Sequence, residues 1–268
     1  MNMNADVYQL DGKVARKEEL PEVFGSAFRE DIVRRALLAE QSRRYQPQGH
    51  YVMAGLQTTA VYVGEYGVYR SGRHMGIAIR PRQKLAGGAQ GDVRRIPSSV
   101  KGRRAHPHKI EKVLEEKINS KEYKKAIESA IGGTANAVLV KGKHSVNHST
   151  MPIIVEDKME AIVKTKDLIR ILKILGFEAD LDKSHKPKLR AGLKRYAKSR
   201  HFRKSVLIVV SDSAKVDKAG RNIAGVDVCR LKNLTVEALA PGAKPRLTIW
   251  TEGAVKGVER AIEHAKLR

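Results

Sequence analysis

The stretch "VLIVV", Val206 to Val210, is apolar at every position. A strand with one wet face alternates apolar and polar residues. An unbroken run of this kind therefore points to a strand covered on both sides, the usual condition of a parallel sheet flanked by helices. Shorter β-rich runs recur at Val138-Leu139-Val140, Ile153-Ile154-Val155, Val226-Asp227-Val228-Cys229 and Leu247-Thr248-Ile249-Trp250, with a weaker one at Val7-Tyr8-Gln9-Leu10. Between them the apolar spacing is helical. Ile32, Val33, Ala36 and Leu37 share one face, Ile110, Val113, Leu114 and Ile118 another, and Tyr123, Ala126, Ile127 and Ala130 a third. A helix with Leu168, Leu172 and Leu175 is expected to start at an N-capping Thr165 and to end at Gly176. A last helix is expected from Thr251, with Glu252 at the positive end of its dipole and Val255, Val258 and Ile262 packing it down. This alternation predicts an α/β fold: a three-layer, mainly parallel sheet with helices on both faces, Rossmann-like, with a long extended internal basic loop added to it.

The charge is unevenly placed. The 268 residues carry a formal net charge of +23, which favours a polyanionic partner, most often nucleic acid. "KSHKPKLRAGLKRYAKSRHFRK", Lys183 to Lys204, runs up to the apolar strand with ten Lys and Arg and no acid. Arg43 to Lys109 holds 13 Lys and Arg against two acids, Glu65 and Asp92. The other 29 basic residues are nearly balanced by 27 acids. A nearly neutral body thus carries two basic segments. We expect residues 1–42 and 110–268 to form the globular α/β domain, 43–109 an inserted extension, and 183–204 a second contact segment.

The extension cannot easily build a core. It contains 10 of the 22 glycines and scattered apolar residues. A long structureless loop inside a compact domain is usually functional or disordered. A disordered linker would need a domain on each side, whereas here both flanks belong to one sheet. An extension ordered by a polyanion fits better. Arginine's planar fork donates to phosphate oxygens in pairs. Pro81, Pro97 and Pro107 lower the ordering cost. Tyr45, Tyr51, Tyr62, Tyr66 and Tyr69 suit either stacking on exposed bases or ordinary strand positions.

Other chemistry is poorly supported. One cysteine, Cys229, excludes an intrachain disulfide, fits a reducing compartment and reads as a small core residue. No apolar run approaches the roughly 20 residues needed to span a bilayer. The opening "MNMNADVYQLDGK" lacks a secretory pattern, so a cytoplasmic location is expected. "GGAQGD" (Gly87–Asp92) lacks the Lys-Ser/Thr of a phosphate loop, and no GxGxxG follows the first strand. His144 with His148, and His106 with His108, lack the partners of a metal site. No nucleophile–base arrangement is visible, so neither metal, cofactor nor catalysis is expected. The alternatives are an RNA-modifying enzyme on a Rossmann-like body and a general nucleic-acid-binding protein.

Several segments, in order along nearly the whole chain, resemble one family. They are Ser71-Gly72-Arg73 with Ile79-Arg80-Pro81-Arg82, "VKGRRAHPHK" (Val100–Lys109), "ESAIGGTANAVLVKGKH" (Glu128–His144), "PIIVEDK" (Pro152–Lys158), "GRNIAGVDV" (Gly220–Val228) and "NLTVEALAPGAKPRLTIWTEGAV" (Asn233–Val255). They are similar to the large-subunit ribosomal protein L-four family, archaeal and eukaryotic type, most of all archaeal. The resemblance implies a structural rRNA-binding protein of the large subunit. Its long loop would thread through rRNA and help line the nascent-peptide exit tunnel beside ribosomal protein L-twenty-two. The implied rRNA contacts are Arg43, Arg44, Arg70, Arg73, Arg80, Arg82, Lys84, Arg94, Arg95, Lys101, Arg103, Arg104 and Lys109, with Lys188, Arg190, Lys194, Arg195 and Arg200 in the second segment. The implied tunnel-facing tip is Arg80, Pro81, Arg82, Gln83, Lys84, Gly87, Gly88 and Gly91.

Overall fold

A computed structural model of the chain describes residues 4–69, 71–146, 150–189, 200–211 and 215–265. Arg70, His148, Arg190, Lys194 and Arg195 lie outside the described residues. The elements run β1 (Asn4–Tyr8), β2 (Val14–Glu19), α1 (Glu30–Ser42), β3 (Arg82–Lys84), β4 (Gln90–Val93), α2 (Ser120–Ala135) and α3 (Ala137–Lys141). They continue with β5 (Ile153–Val155), α4 (Thr165–Ile174), α5 (Glu178–His185), β6 (Lys188–Leu189), β7 (Arg200–His201) and β8 (Leu207–Val210). The chain ends with α6 (Asp217–Gly220), β9 (Asp227–Arg230), α7 (Val236–Leu239), β10 (Thr248–Thr251) and α8 (Glu252–Glu263). It divides into two units, Met1–Arg44 with Glu115–Arg268, and Tyr45–Leu114.

In the first unit one six-stranded sheet has the order β2-β1-β5-β10-β8-β9. All its pairs are parallel except β1 with β2. The opening stretch explains the layers. Side chains alternate across a strand. Leu207 and Val209 therefore enter one core with Trp250, α1, α2 and α8, while Ile208 and Val210 enter the other with α4, Phe177 and Met159. All four residues of β8 are buried, which is why its sequence shows no alternation.

Two buried groups tie helices to this frame. The Glu40 carboxylate accepts the Tyr123 hydroxyl at 2.6 Å and the backbone N–H groups of Val236 and Glu237, both at 2.8 Å. Burial raises its pKa, against the pull of those three donors. Trp250 packs edge-on against Phe24 with ring centroids 5.2 Å apart.

Three expectations need correction. Val138-Leu139-Val140 is not a strand but lies in α3. The Asn136 side chain caps it, accepting from the N–H groups of Val138 and Leu139 at 3.1 and 3.4 Å. Only Val140 of the three is buried, so local capping outweighs β propensity there. Ile110 to Ile118 forms no helix. Ile110 and Val113 are exposed, and Ile118 alone reaches a core, so the amphipathic spacing has no surface to pack on. Thr165 is the first residue of α4 rather than its cap, and no side chain caps that end. Gly176 does end α4, in the left-handed region at φ 81°. Strand β2, "VARKEE", was invisible in the sequence. It is an edge strand with mostly exposed, charged side chains, which protects the sheet edge from further pairing.

The Tyr45–Leu114 unit is built differently. Its one fully buried hydrophobic side chain among the described residues is Ala60. The chain doubles back on itself: His50 Nδ1 lies 3.0 Å from the His108 carbonyl oxygen, Arg95 Nε donates to Leu56 O at 3.4 Å, and Val61 bridges Arg82. The arms approach so closely at Gly55 that an added Cβ would sit 2.5 Å from the Gly102 carbonyl oxygen.

Candidate nucleic-acid interface

Charged groups converge where β8, β9 and β10 begin. Arg246, two residues before β10, is 1% exposed. Its guanidinium donates to the carbonyls of Val206 and Gly225 at 3.0 and 2.7 Å, to that of Ser205, and to Asp227 Oδ2 at 2.5 Å. Lys204 Nζ reaches both Asp227 oxygens at 2.9 and 2.8 Å. Beside them Lys143 donates to Pro241 O at 2.7 Å, and the Arg203 guanidinium donates to the Lys143 carbonyl. Burial first, then repulsion from Arg246, Arg203 and Lys244, pushes the Lys143 ammonium down to about 8. This edge of the sheet therefore carries more positive charge than its own acids neutralise.

Under that edge lies a buried polar cluster. Asp180 Oδ2 accepts the Ser205 hydroxyl at 2.6 Å and lies 3.0 Å from His144 Nδ1. Serine, histidine and aspartate are the components of a nucleophilic triad, but the wiring differs. Both partners meet the carboxylate, Ser205 is fully buried, and His144 is not placed between acid and hydroxyl. The cluster is structural.

The acids fix a pH dependence. Burial alone would raise Asp180, but its hydrogen bonds to His144 and Ser205 bring it below the ordinary carboxylate value. Burial likewise opposes, and Arg246 and Lys204 outweigh it at, Asp227. A depressed folded pKa gives stability that is full above the unfolded value and lost as pH falls through the folded one. Urea midpoints are therefore expected to hold from neutrality to about pH 5 and to fall below about pH 4, the unfolded aspartate value. Asp227→Asn should be less stable at neutral pH and lose part of that acid dependence. A midpoint that does not change as pH falls well below the unfolded aspartate value contradicts the assignment.

The anticipated contact residues separate into two kinds. Some are engaged within the protein. Arg43 and Arg44, beyond the end of α1, pair with Glu115 at 2.7 Å and Glu237 at 2.5 Å. Arg94 donates to Val100 O at 2.6 Å and to Asp92 at 3.0 Å, Arg82 to Ala78 O at 3.2 Å, and Arg95 to Leu56 O. Arg73 lies over the Tyr66 ring, 5.4 Å from its centroid. Arg80, Lys84, Lys101, Arg103, Arg104 and Lys109 are exposed, as are Lys188 and Arg200 on the β6–β7 pair. The anticipated tip is a β-hairpin. Arg82 pairs with Val93 and Lys84 with Gln90, and Gly87 and Gly88 turn the chain at φ 72° and 80°. Pro81 joins its base by accepting from the Arg94 N–H at 3.0 Å, and Gln83 and Gly91 lie within the strands.

Sequence reasoning missed Lys143, Lys244 and Arg246, and did not single out Arg203 or Lys204. One signal was present for Arg246, a lone arginine immediately before an apolar strand; Lys143 is about a hundred residues away in sequence. His106 and His108 are exposed, and no group of three potential metal ligands is found among the described residues. Cys229 is half-buried, and burial, with Asp217 and Asp227, pushes its thiol up to about 11, which leaves it unreactive.

Rossmann-like enzymes bind ligands at the opposite end, beyond the carboxyl ends of the strands. A cavity of about 570 Å³ does lie there, lined by Ser211, Leu231, Lys232, Gly253, Gly257 and Arg260 among others. Its polar positions are taken by the chain's own acids. Glu160 accepts the Ser211 N–H at 2.7 Å, the Thr251 hydroxyl at 2.6 Å and the Ser211 hydroxyl. Asp157 accepts the Gly253 N–H at 2.7 Å, and Thr251 caps Ala254. Carboxylates already stand where α8 would otherwise receive a phosphate.

Fold and site together define a class: a basic α/β scaffold, charged at one sheet edge and along its insert, suited to being held in an assembly rather than to turning over a substrate. Comparison with known proteins agrees. The model of the "Ribosomal protein L4/L1 family" matches residues 18–261. "Large ribosomal subunit protein uL4" of Methanospirillum hungatei is 41% identical over 256 residues, covering 95% of this chain and 98% of the relative. The proteins of that name from Archaeoglobus fulgidus and Methanocaldococcus jannaschii are 42% and 39% identical, each covering at least 95% of both chains. The chain belongs to the ribosomal protein L4/L1 family, archaeal type; it is a structural component and not an enzyme.

Proposed function

We propose that the chain, as a structural constituent of the large ribosomal subunit, binds large-subunit rRNA during assembly and resides in the cytoplasm within the ribosome. The observation that carries this reading is the division of its basic residues. The 29 Lys and Arg of the body are nearly balanced by 27 acids, whereas the insert and the second segment hold 23 against two acids and include eight exposed cations. The family and its relatives supply the ribosomal context. In this reading residues 43–109 form the rRNA-contacting extension of a domain made by 1–42 and 110–268, and 183–204 forms a second contact. The loop tip, Arg80 to Gly91, helps line the nascent-peptide exit tunnel beside L-twenty-two, where it faces the growing chain. The expected result is that tagged protein co-sediments with the large subunit and remains through a moderate-salt wash. Release in that wash, or equal binding to any duplex, overturns the proposal. Titratable binding of a nucleotide cofactor would instead favour an RNA-modifying enzyme.

A further inference from the structure

The Lys143 ammonium forms no ion pair with a carboxylate among the described residues. Lys158, Lys173, Lys204 and Lys256 each have one, with Glu156 at 3.0 Å, Glu178 at 2.8 Å, Asp227 at 2.8 Å and Glu18 at 3.5 Å. Lys143 Nζ instead donates to two neutral acceptors, Pro241 O at 2.7 Å and Lys244 O at 3.5 Å. The charges that act on it are mostly of its own sign. Arg203 does so from the chain before β8, and Lys244 and Arg246 from the chain between α7 and β10. Asp180 of α5 acts in the opposite sense, but His144 and Ser205 already engage its carboxylate.

Such a place favours the neutral amine. Burial and the three cations bring the ammonium from the ordinary 10.5 down to about 8. The free-amine fraction near neutral pH is then roughly a few hundredfold larger than that of an ordinary lysine. Lower basicity gives back about tenfold in intrinsic nucleophilicity, on the dependence known for thiols. A net advantage on the order of tenfold remains. Lys143 is half-buried, which leaves it a route to solvent. The cations that disfavour the ammonium also attract an anion. Arg246 is buried and spends its guanidinium on three carbonyls and Asp227. Arg203 gives one nitrogen to the Lys143 carbonyl, and a guanidinium carries five N–H donors. Lys244 is exposed. A nucleophilic amine flanked by cations with donors to spare suits a small electrophile that carries negative charge.

We propose that Lys143 is a modification site, acylated at Nζ by a small acyl phosphate whose phosphate Arg203 and Lys244 draw in. The Nζ lone pair attacks the acyl carbon. A C–N bond forms as the C–O bond to phosphate breaks, and phosphate leaves with the bonding pair. The amine gives one proton to the departing phosphate, and nothing is oxidised or reduced. The resulting amide keeps one N–H, enough for the Pro241 carbonyl, and one positive charge is removed from a crowded cationic edge. The proposal needs only the folded body and is independent of the rRNA-binding reading.

The test incubates the full chain with acetyl phosphate near neutral pH and follows each lysine by peptide mass spectrometry at low conversion. Lys143 is expected to be acetylated about tenfold faster than the exposed Lys84 and Lys101. Its rate should level off above about pH 8, while theirs keep rising. Arg203→Gln should slow Lys143 several-fold and leave Lys84 and Lys101 unchanged, with an unchanged urea midpoint verifying the fold. Lys244→Gln, at an exposed position, is a second variant and should act in the same direction. In urea beyond the unfolding midpoint the preference for Lys143 should vanish. A Lys143 rate no higher than those of Lys84 and Lys101 overturns the proposal, as does one that rises with pH in parallel with theirs. A preference that survives unfolding overturns it too, because it would then reside in the local sequence. Parent rates in both variants would remove the cations from the reaction and overturn it likewise.

Discussion

Raising monovalent salt from about 50 to about 200 mM is expected to weaken binding to large-subunit rRNA roughly ten-thousandfold, the loss that about eight phosphate contacts produce. The count comes from the side chains that point outward. Arg80, Lys84, Lys101, Arg103, Arg104 and Lys109 are exposed in the insert, and Lys188 and Arg200 in the second segment. Each contact releases condensed counterions, so log affinity falls with log salt in proportion to the number of contacts. Arg103→Gln with Arg104→Gln should reduce the slope by about two units, since each phosphate contact contributes nearly one. Arg94→Gln should act differently, because that guanidinium already holds Val100 O and Asp92. It should alter the shape of the insert more than the charge offered to RNA. A flat salt dependence would show that phosphate contacts do not govern binding.

Arg246→Ala is expected to lower the unfolding free energy by about 3 kcal/mol, because it removes a buried guanidinium that donates to three carbonyls and to Asp227, and hydrogen bonds to charged groups contribute about 1.5–3 kcal/mol. That is a large fraction of the roughly 5–15 kcal/mol a native domain possesses. The side chain joins the entrances of three neighbouring strands. Its loss takes the guanidinium donor from the Ser205 carbonyl, leaves the Val206 and Gly225 carbonyls with only the N–H groups of Asp227 and Ser205, and leaves Asp227 with Lys204 alone. Arg246→Lys should recover little, because one ammonium cannot present donors in four directions along a planar fork. Urea denaturation of the three proteins measures this. A lysine variant as stable as the parent would show that charge, and not the fork, is what matters at this position. The effect reaches beyond stability. Arg203 and Lys204 lead directly into β8, so the same frame orients the end of the second basic segment.

Much of the fold was legible in the sequence because it depends on residues close together in the chain. The run Val206–Val210 announced a doubly covered strand, and its alternate side chains do enter different cores. Helices α1, α2, α4 and α8 followed from apolar spacing. The failures share a cause. Val138–Val140 had strand-like residues, yet Asn136 capped them into a helix. Ile110–Ile118 had helical spacing, yet only Ile118 found a surface to bury against. Strand β2 hid behind charged residues that an exposed edge requires. Local pattern states which structure a segment could adopt, and packing states whether it is worth adopting.

The candidate interface divides the same way. The sequence by itself determined the α/β sheet and the placement of excess positive charge in two segments. It also carried the resemblance that family membership bears out, since charge and order along the chain are additive properties of residues. Only the tertiary structure separated arginines that hold the insert together from those that face outward. It alone showed that five tyrosines remain in solvent, and that Arg246, Asp227, Lys204 and Lys143 meet at one sheet edge. Those facts depend on partners tens to a hundred residues apart in sequence, as Lys143 and Pro241 are, and a residue's neighbours in space are fixed by the packing of the whole sheet.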